Sequence, residues 1–317
     1  MLSRSADAIY WIGRYIERAE SVARFIDVNL NLALDLPPGT QEQWKPLVGT
    51  TGDLYRFLER YDLTTRETVI EFLAFDAGNP NSIYSCLKAA RENARAVRDV
   101  ISSDMWEHLN STYLQVSDES ARGRARHSSY QFFSEVKMAG RLFEGLTDDT
   151  MSHGESWNFC RLGRMLERSD KIARILDLKH FLSNGKTTGG PMEDIEWSAV
   201  LQSASGLELY RKRHGRLIKE RIVEFLLLDR EFPRSVHFCL VAAEEALHEI
   251  TGTAIGTFRI PAEQRLGQLR SELAFARAEE ILEHGLHETI DALQLKLNLA
   301  GESITNAFFV SAPIYSS

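Results

Sequence analysis

Apolar residues at Ile12, Ile16, Ala19, Ala23, Ile26 and Leu30, at alternating spacings of four and three, draw one stripe along an amphipathic helix over about 4–34. Leu36-Pro37-Pro38-Gly39 ends it. The pattern then predicts a helix over about 41–61 and another from Thr65, an N-cap residue, to Asp76. The turn Ala77-Gly78-Asn79-Pro80 leads into a long helix at about 81–101, and Ser103 caps a shorter one through Asn110. Residues 117–128 are polar without periodicity and read as a connection to a helix at about 129–147. Further helices are expected near 155–183, 193–213, 215–229 and 234–252, then a closing pair near 262–284 and 286–308. The stretch Asn184 to Pro191 is the clearest flexible loop; it lacks the lysine and hydroxyl spacing of a phosphate cradle.

The pattern repeats. Ile12-Gly13-Arg14-Tyr15-Ile16-Glu17-Arg18, with Arg24 and Asp27, returns 150 residues later as Leu162-Gly163-Arg164-Met165-Leu166-Glu167-Arg168, with Arg174 and Asp177. Glu71-Phe72-Leu73, Asp76, Pro80, Ser82 and Cys86-Leu87 return 153 residues later as Glu224-Phe225-Leu226, Asp229, Pro233, Ser235 and Cys239-Leu240. Two segments in the same order at nearly the same offset make residues about 5–115 and 155–270 read as copies of one helical unit. The expected fold is all-α, with two tandem, pseudo-symmetric modules over 1–128 and 129–317 packed into one bundle-like body.

Composition changes this picture little. Scarce proline and abundant Ala, Leu, Glu and Arg favour helix. A net charge of −8 argues against a general nucleic-acid binder and against attraction to an anionic membrane. No apolar run reaches the length of a bilayer span, and the charges of the first helix do not suit a signal peptide, so a cytoplasmic location is expected. Three cysteines on apolar helix faces fit a reducing compartment, and none is expected to be catalytic.

Charge type matters more. Arginines number 28 against 9 lysines, and arginine suits bidentate capture of carboxylate or phosphate. On a helical wheel Arg14, Glu17, Arg18 and Arg24 lie away from the apolar stripe or on its flank, as do Arg164, Glu167, Arg168 and Arg174. Phe25 and Ile175 interrupt that second face, which is therefore expected to be half-buried. Glu17 is placed to pin guanidinium groups of its own helix while other N–H donors stay free for an anion. Equally, Glu17 and Glu167 are placed to close a salt-bridge lock at a helix crossing. Arg91-Glu92-Asn93-Ala94-Arg95 forms a second arginine cluster, whose copy reads Glu244-Glu245-Ala246-Leu247-His248; an Arg91–Glu244 pairing is one simple account of the divergence. Glu245-x-x-His248 and His284, His287 and Glu288 are incomplete as metal sets, so neither metal nor cofactor is expected.

Tyr10 to Glu20, Arg91-Glu92-Asn93-Ala94-Arg95 and Leu162 to Asp170 together resemble the bacterial alpha-E family, named for its helical domain and Glu-Arg motif, with Ser169 standing where alanine is expected. The resemblance covers essentially the whole chain. It implies an all-helical protein encoded beside, or fused to, a circularly permuted ATP-grasp ligase, often with a transglutaminase-like peptidase, with a part in ATP-dependent peptide or amide synthesis. On this basis Arg14, Arg18, Arg24, Arg91, Arg95, Arg164, Arg168 and Arg174 are candidates for holding a partner or a peptide or small carboxylate substrate. Glu17 and Glu167 are the candidates for a general base, should the chain transfer an aminoacyl or acyl-phosphate group itself. A purely structural lock is the third reading.

Overall fold

The structure, a computed structural model, describes residues 1–35, 44–182 and 191–310. Sixteen α-helices and no strands occur among them. In the first half these are α1 (Ser3–Asp35), α2 (Lys45–Thr51), α3 (Leu54–Leu58), α4 (Arg66–Ile70), α5 (Ile83–Ala96), α6 (Ser103–Ser117), α7 (Ala121–His127) and α8 (Ser129–Thr150). The second half holds α9 (Glu155–Leu182), α10 (Pro191–Ser203), α11 (Leu207–His214), α12 (Lys219–Val223), α13 (Val236–Thr251), α14 (Pro261–Phe275), α15 (Ala278–His284) and α16 (Leu286–Phe308).

Local chemistry accounts for the differences from the expected boundaries. The helix expected over 41–61 divides into α2 and α3 because Gly52 takes a left-handed φ of 79°, where its N–H donates to the Gly49 carbonyl. Its expected start at 41, the Leu36 to Gly39 stop and nearly all of the 184–191 loop lie outside the described residues. Ser205 and Gly206 likewise divide the helix expected over 193–213. The 117–128 connection contains α7, whose Ala121 and Ala125 are buried one turn apart beneath a row of arginines. Ser102, rather than Ser103, caps α6, and that helix runs on to Ser117.

A wide π-helical turn follows α4 and another follows α12, at Glu71–Phe75 and Glu224–Leu228. Each ends where an aspartate N–H, of Asp76 or Asp229, donates five residues back to Glu71 or Glu224. The Ser82 and Ser235 hydroxyls donate to the Asp76 and Asp229 carbonyls and accept from the third residue of α5 and of α13. Arg60 and Arg213 hold the two aspartate side chains.

Packing follows the same order in both halves. α1 rests on α5 and α8 as α9 rests on α13 and α16, and α6 meets α8 as α14 meets α16. α8 thus takes on α1 the place that α16 takes on α9. The long helices α1 and α9 pack on one another at the centre, and the halves exchange smaller elements: α2 packs on α9, and α10 on α1. Apolar residues from both halves therefore share one core, with Tyr10, Phe57, Phe72, Phe133, Phe159, Tyr210 and Phe225 among its fully buried members.

Candidate functional site

α1 and α9 touch at Gly13 and Gly163. A Cβ on Gly13 would stand 2.3 Å from the Cys160 carbonyl oxygen, and one on Gly163 would stand 2.2 Å from that of Tyr10. Both positions thus require a bare backbone. One turn further along each helix, the glutamate and arginines of one face those of the other across the shared axis.

The charges pair crosswise. Glu167 accepts from Arg14 Nε at 2.8 Å and from Arg18 Nε and Nη2 at 2.7 and 3.0 Å, and its own helix adds Lys171 at 3.3 Å. Glu17 accepts from Arg168 Nη2 at 2.7 Å and from Arg234 Nη1 at 3.1 Å. Pairs within one helix lie beside this centre, where Glu20 receives Arg24 and Asp170 receives Arg174 at 2.9 Å. Arg18 also donates to Asn81 at 2.7 Å, and Asn81 in turn donates to Asp53. Arg168 donates to Glu144 of α8 at 2.9 Å, and Arg164 lies 3.5 Å from the same carboxylate.

The two central carboxylates are closed off, with 2% of Glu17 and 0% of Glu167 exposed. Burial alone would push the Glu17 carboxyl up, but Arg168 and Arg234 outweigh it and hold it at about 2. Burial acts on Glu167 in the same sense, and Arg18, Lys171 and Arg14 hold it well below the usual carboxylate range. Arg24 moves the other way: burial, reinforced by the like charge of Arg234, lowers it to about 10. Its Nε and Nη1, like the Nε atoms of Arg164 and Arg168, are buried without a hydrogen-bond partner among the described residues.

These positions correct the sequence reading in two respects. The arginines of the repeated motif are more deeply buried than half, and Glu17 is held by another helix rather than pinning Arg14 or Arg24 of its own. Sequence reasoning also missed Lys171 and Arg234. Ser21 and Asn81 stand at their matched positions in the first half, so the second half supplies one extra cation to each central carboxylate. Comparison of the two copies at those positions contains that signal.

Arg91 and Arg95 lie outside the crossing. Arg91 donates to Asn110 at 2.7 Å and to Glu92 at 2.8 Å, and Arg95 is two-thirds exposed beside Glu92. The Arg91–Glu244 pairing does not form, since Glu244 binds Arg270. Glu245 and His248 diverge, toward Arg161 and Thr253 respectively. His287 meets Asp177 at 2.8 Å and Asp291 at 3.6 Å, while the matched Asp27 is held by Lys137 of α8. His287 thus takes on Asp177 the place that Lys137 takes on Asp27. The thiols of Cys86 and Cys239 are fully buried, which pushes both up to about 12 and leaves them poor nucleophiles.

A family model described as a predicted alpha-helical domain with a conserved ER motif matches residues 1–309. The chain belongs to the Alpha-E family. Glu-Arg occurs four times in its sequence, and the pairs at Glu17-Arg18 and Glu167-Arg168 are the two that meet at the helix crossing. Relatives include an uncharacterized protein of Mycobacterium bovis, 24% identical over 294 residues, and one of Mycobacterium tuberculosis, 23% identical over the same length. Each match takes in 87% of this chain and 32% of the relative, so the chain spans about a third of the length of the curated relatives it matches. No solved structure matches it. Among the described residues no helix is long and apolar enough to cross a membrane.

Proposed function

We propose that this Alpha-E chain is a scaffold and partner-binding module, the accessory subunit of an ATP-grasp-dependent peptide or amide ligase system, and that its Glu-Arg motif is the internal lock of the scaffold. The observation that carries the second part is the closure of Glu17 and Glu167, each buried and held by cations from the opposite helix. A general base must reach a substrate proton, and an anion site needs donors that face an opening. Neither description suits these groups. The accessory role draws support from the relatives, in which a segment like this chain accounts for about a third of a longer protein. Partner binding then belongs to the outer surface, and the ligase holds the carboxylate- or phosphate-bearing intermediate.

The test is an assay of a circularly permuted ATP-grasp ligase with and without this chain, following ATP consumption and product mass. The chain is expected to change rate or product, and Arg18→Ala and Glu167→Ala to lose the effect only in step with their loss of folded protein. A variant that melts like the parent yet abolishes the effect would move the motif into chemistry. No effect of the parent chain on either readout would remove the ligase partnership.

A further inference from the structure

The second half carries on its outer surface a groove of about 690 Å³, lined by α14, by the connection between α13 and α14, and by Glu244 of α13. The corresponding stripe of the first half carries aromatic rings. Counted from the first residue of each 15-residue helix, Trp106, Leu109, Asn110 and Tyr113 of α6 stand where α14 has Gln264, Gly267, Gln268 and Ser271. Arg91 lies across the α6 stripe, its guanidinium 5.7 Å from the Trp106 ring centre and 5.1 Å from that of Tyr113. Glu244, which takes Arg91's place in the second half, turns to Arg270 instead, at 2.8 Å. The second half thus has an amide and a hydroxyl in place of two aromatic rings, and a glycine in place of a leucine. Its connection between the two helices is also longer, 252–260 against 97–102, and supplies a wall at Gly256, Thr257 and Phe258.

The charged groups of the groove already have hydrogen-bond partners. Arg270 spans Glu244 with Nε and Nη2, Glu272 holds Lys296, and Glu263 accepts from Thr253 and from the Arg259 and Ile260 N–H groups. A charged guest finds no uncompensated partner there, so the complementary guest is uncharged. What stays open is amide, hydroxyl and aromatic. Gln264, Gln268 and Ser271 make no side-chain hydrogen bond to any described residue, and Phe258 and Phe275 are 60% and 85% exposed. A carboxamide both donates and accepts, which matches the alternating N–H and C=O of an extended main chain. Two exposed rings beside a cavity of this size supply apolar anchors.

We propose that this groove binds an extended, uncharged stretch of a partner polypeptide, its main-chain amides on Gln264, Gln268 and Ser271 and two apolar side chains against Phe258 and Phe275. The proposal rests on the scaffold reading and locates the face that does the binding. Random dodecapeptides displayed on phage would be panned against the intact chain, and enriched sequences synthesised and titrated by fluorescence anisotropy. Enriched peptides should carry apolar residues in an uncharged stretch. Gln264→Trp with Ser271→Tyr restores the ring stripe of α6 and should weaken binding about tenfold or more, while Phe275→Ala should weaken it several-fold. Both variants change exposed or half-exposed positions and should melt with the parent, and Arg95→Ala should bind as the parent does. Peptides that bind the filled variant as tightly as the parent, or a panning with no enrichment over bare support, overturn the groove. Either result leaves the ligase assay to judge the scaffold reading separately.

Discussion

Glu167→Gln changes shape hardly at all and removes one charge, which makes it the sharpest probe of the lock. In the parent the carboxylate is fully buried and receives Arg14, Arg18 and Lys171. The variant leaves three cations around a neutral amide whose own N–H groups face their donors. Removing one partner of a buried ion pair costs about 3–5 kcal/mol, because the remaining charge is stranded. With an unfolding entropy of ~2.1 cal/mol/K per residue, a cooperative unit of 317 residues has about 0.67 kcal/mol/K, so the melting temperature should fall by about 4–8 °C. Calorimetry at neutral pH measures this directly. Arg95→Ala, at an exposed position on α5, serves as the control and should move melting by less than about 1 °C. Arg18→Ala should cost less in the Glu167→Gln background than in the parent, with a coupling of about 1–3 kcal/mol. Melting of Glu167→Gln within a degree of the parent, or additivity with Arg18→Ala, would refute the lock.

Gly163→Ala should destabilise by about 1–3 kcal/mol or more, since its Cβ meets the Tyr10 carbonyl, whereas Gly145→Ala in α8, with open space around it, should stabilise by about 0.5–1 kcal/mol; chemical denaturation of both decides. Glu17 is lowered from 4.5 to about 2, so the stability it contributes is present above the unfolded value and is lost as pH falls from about 4.5 toward 2. A melting series over that range should fall steeply in the parent and more gently in Glu17→Gln. His287 shifts the opposite way: its hydrogen bond with Asp177 raises its pKa, so its contribution is complete below about 6.5 and is lost as pH rises through the folded-state value. His287→Asn should remove that slope from a melting series run upward from about pH 6.5 through neutral into mildly alkaline pH.

Periodicity made the long elements legible. The stripe from Ile12 to Leu30 placed α1 to within a residue, because a helix buried on several sides still spaces its apolar residues by turns. What periodicity could not carry was backbone conformation without a change in pattern. The π-helical turn at Glu71–Phe75 continues an apolar run, and α7 hides its two buried alanines among Arg122, Arg124 and Arg126. The motif's residues were legible, and so was the choice between anion site and lock. What bears on that choice is the partner of each charge, and Arg18 finds its partner 149 residues away. A wheel drawn on one helix sees only the i,i+4 pairs: Glu20 with Arg24 and Asp170 with Arg174 beside the crossing, and Lys171 reaching Glu167 within it.

The crosswise pairing has a consequence for the growing chain. During synthesis at about 5–20 residues per second, α1 leaves the ribosome roughly 8–30 s before the stretch around Glu167 follows it. Over that interval Glu17 and Glu20 have neither Arg168 nor Arg234, and the face of Gly13 has nothing to close against. Until then these charges stay in water. The pairs on Glu167 can form once α9 arrives, and those on Glu17 and Glu20 are complete only after Arg234 has followed.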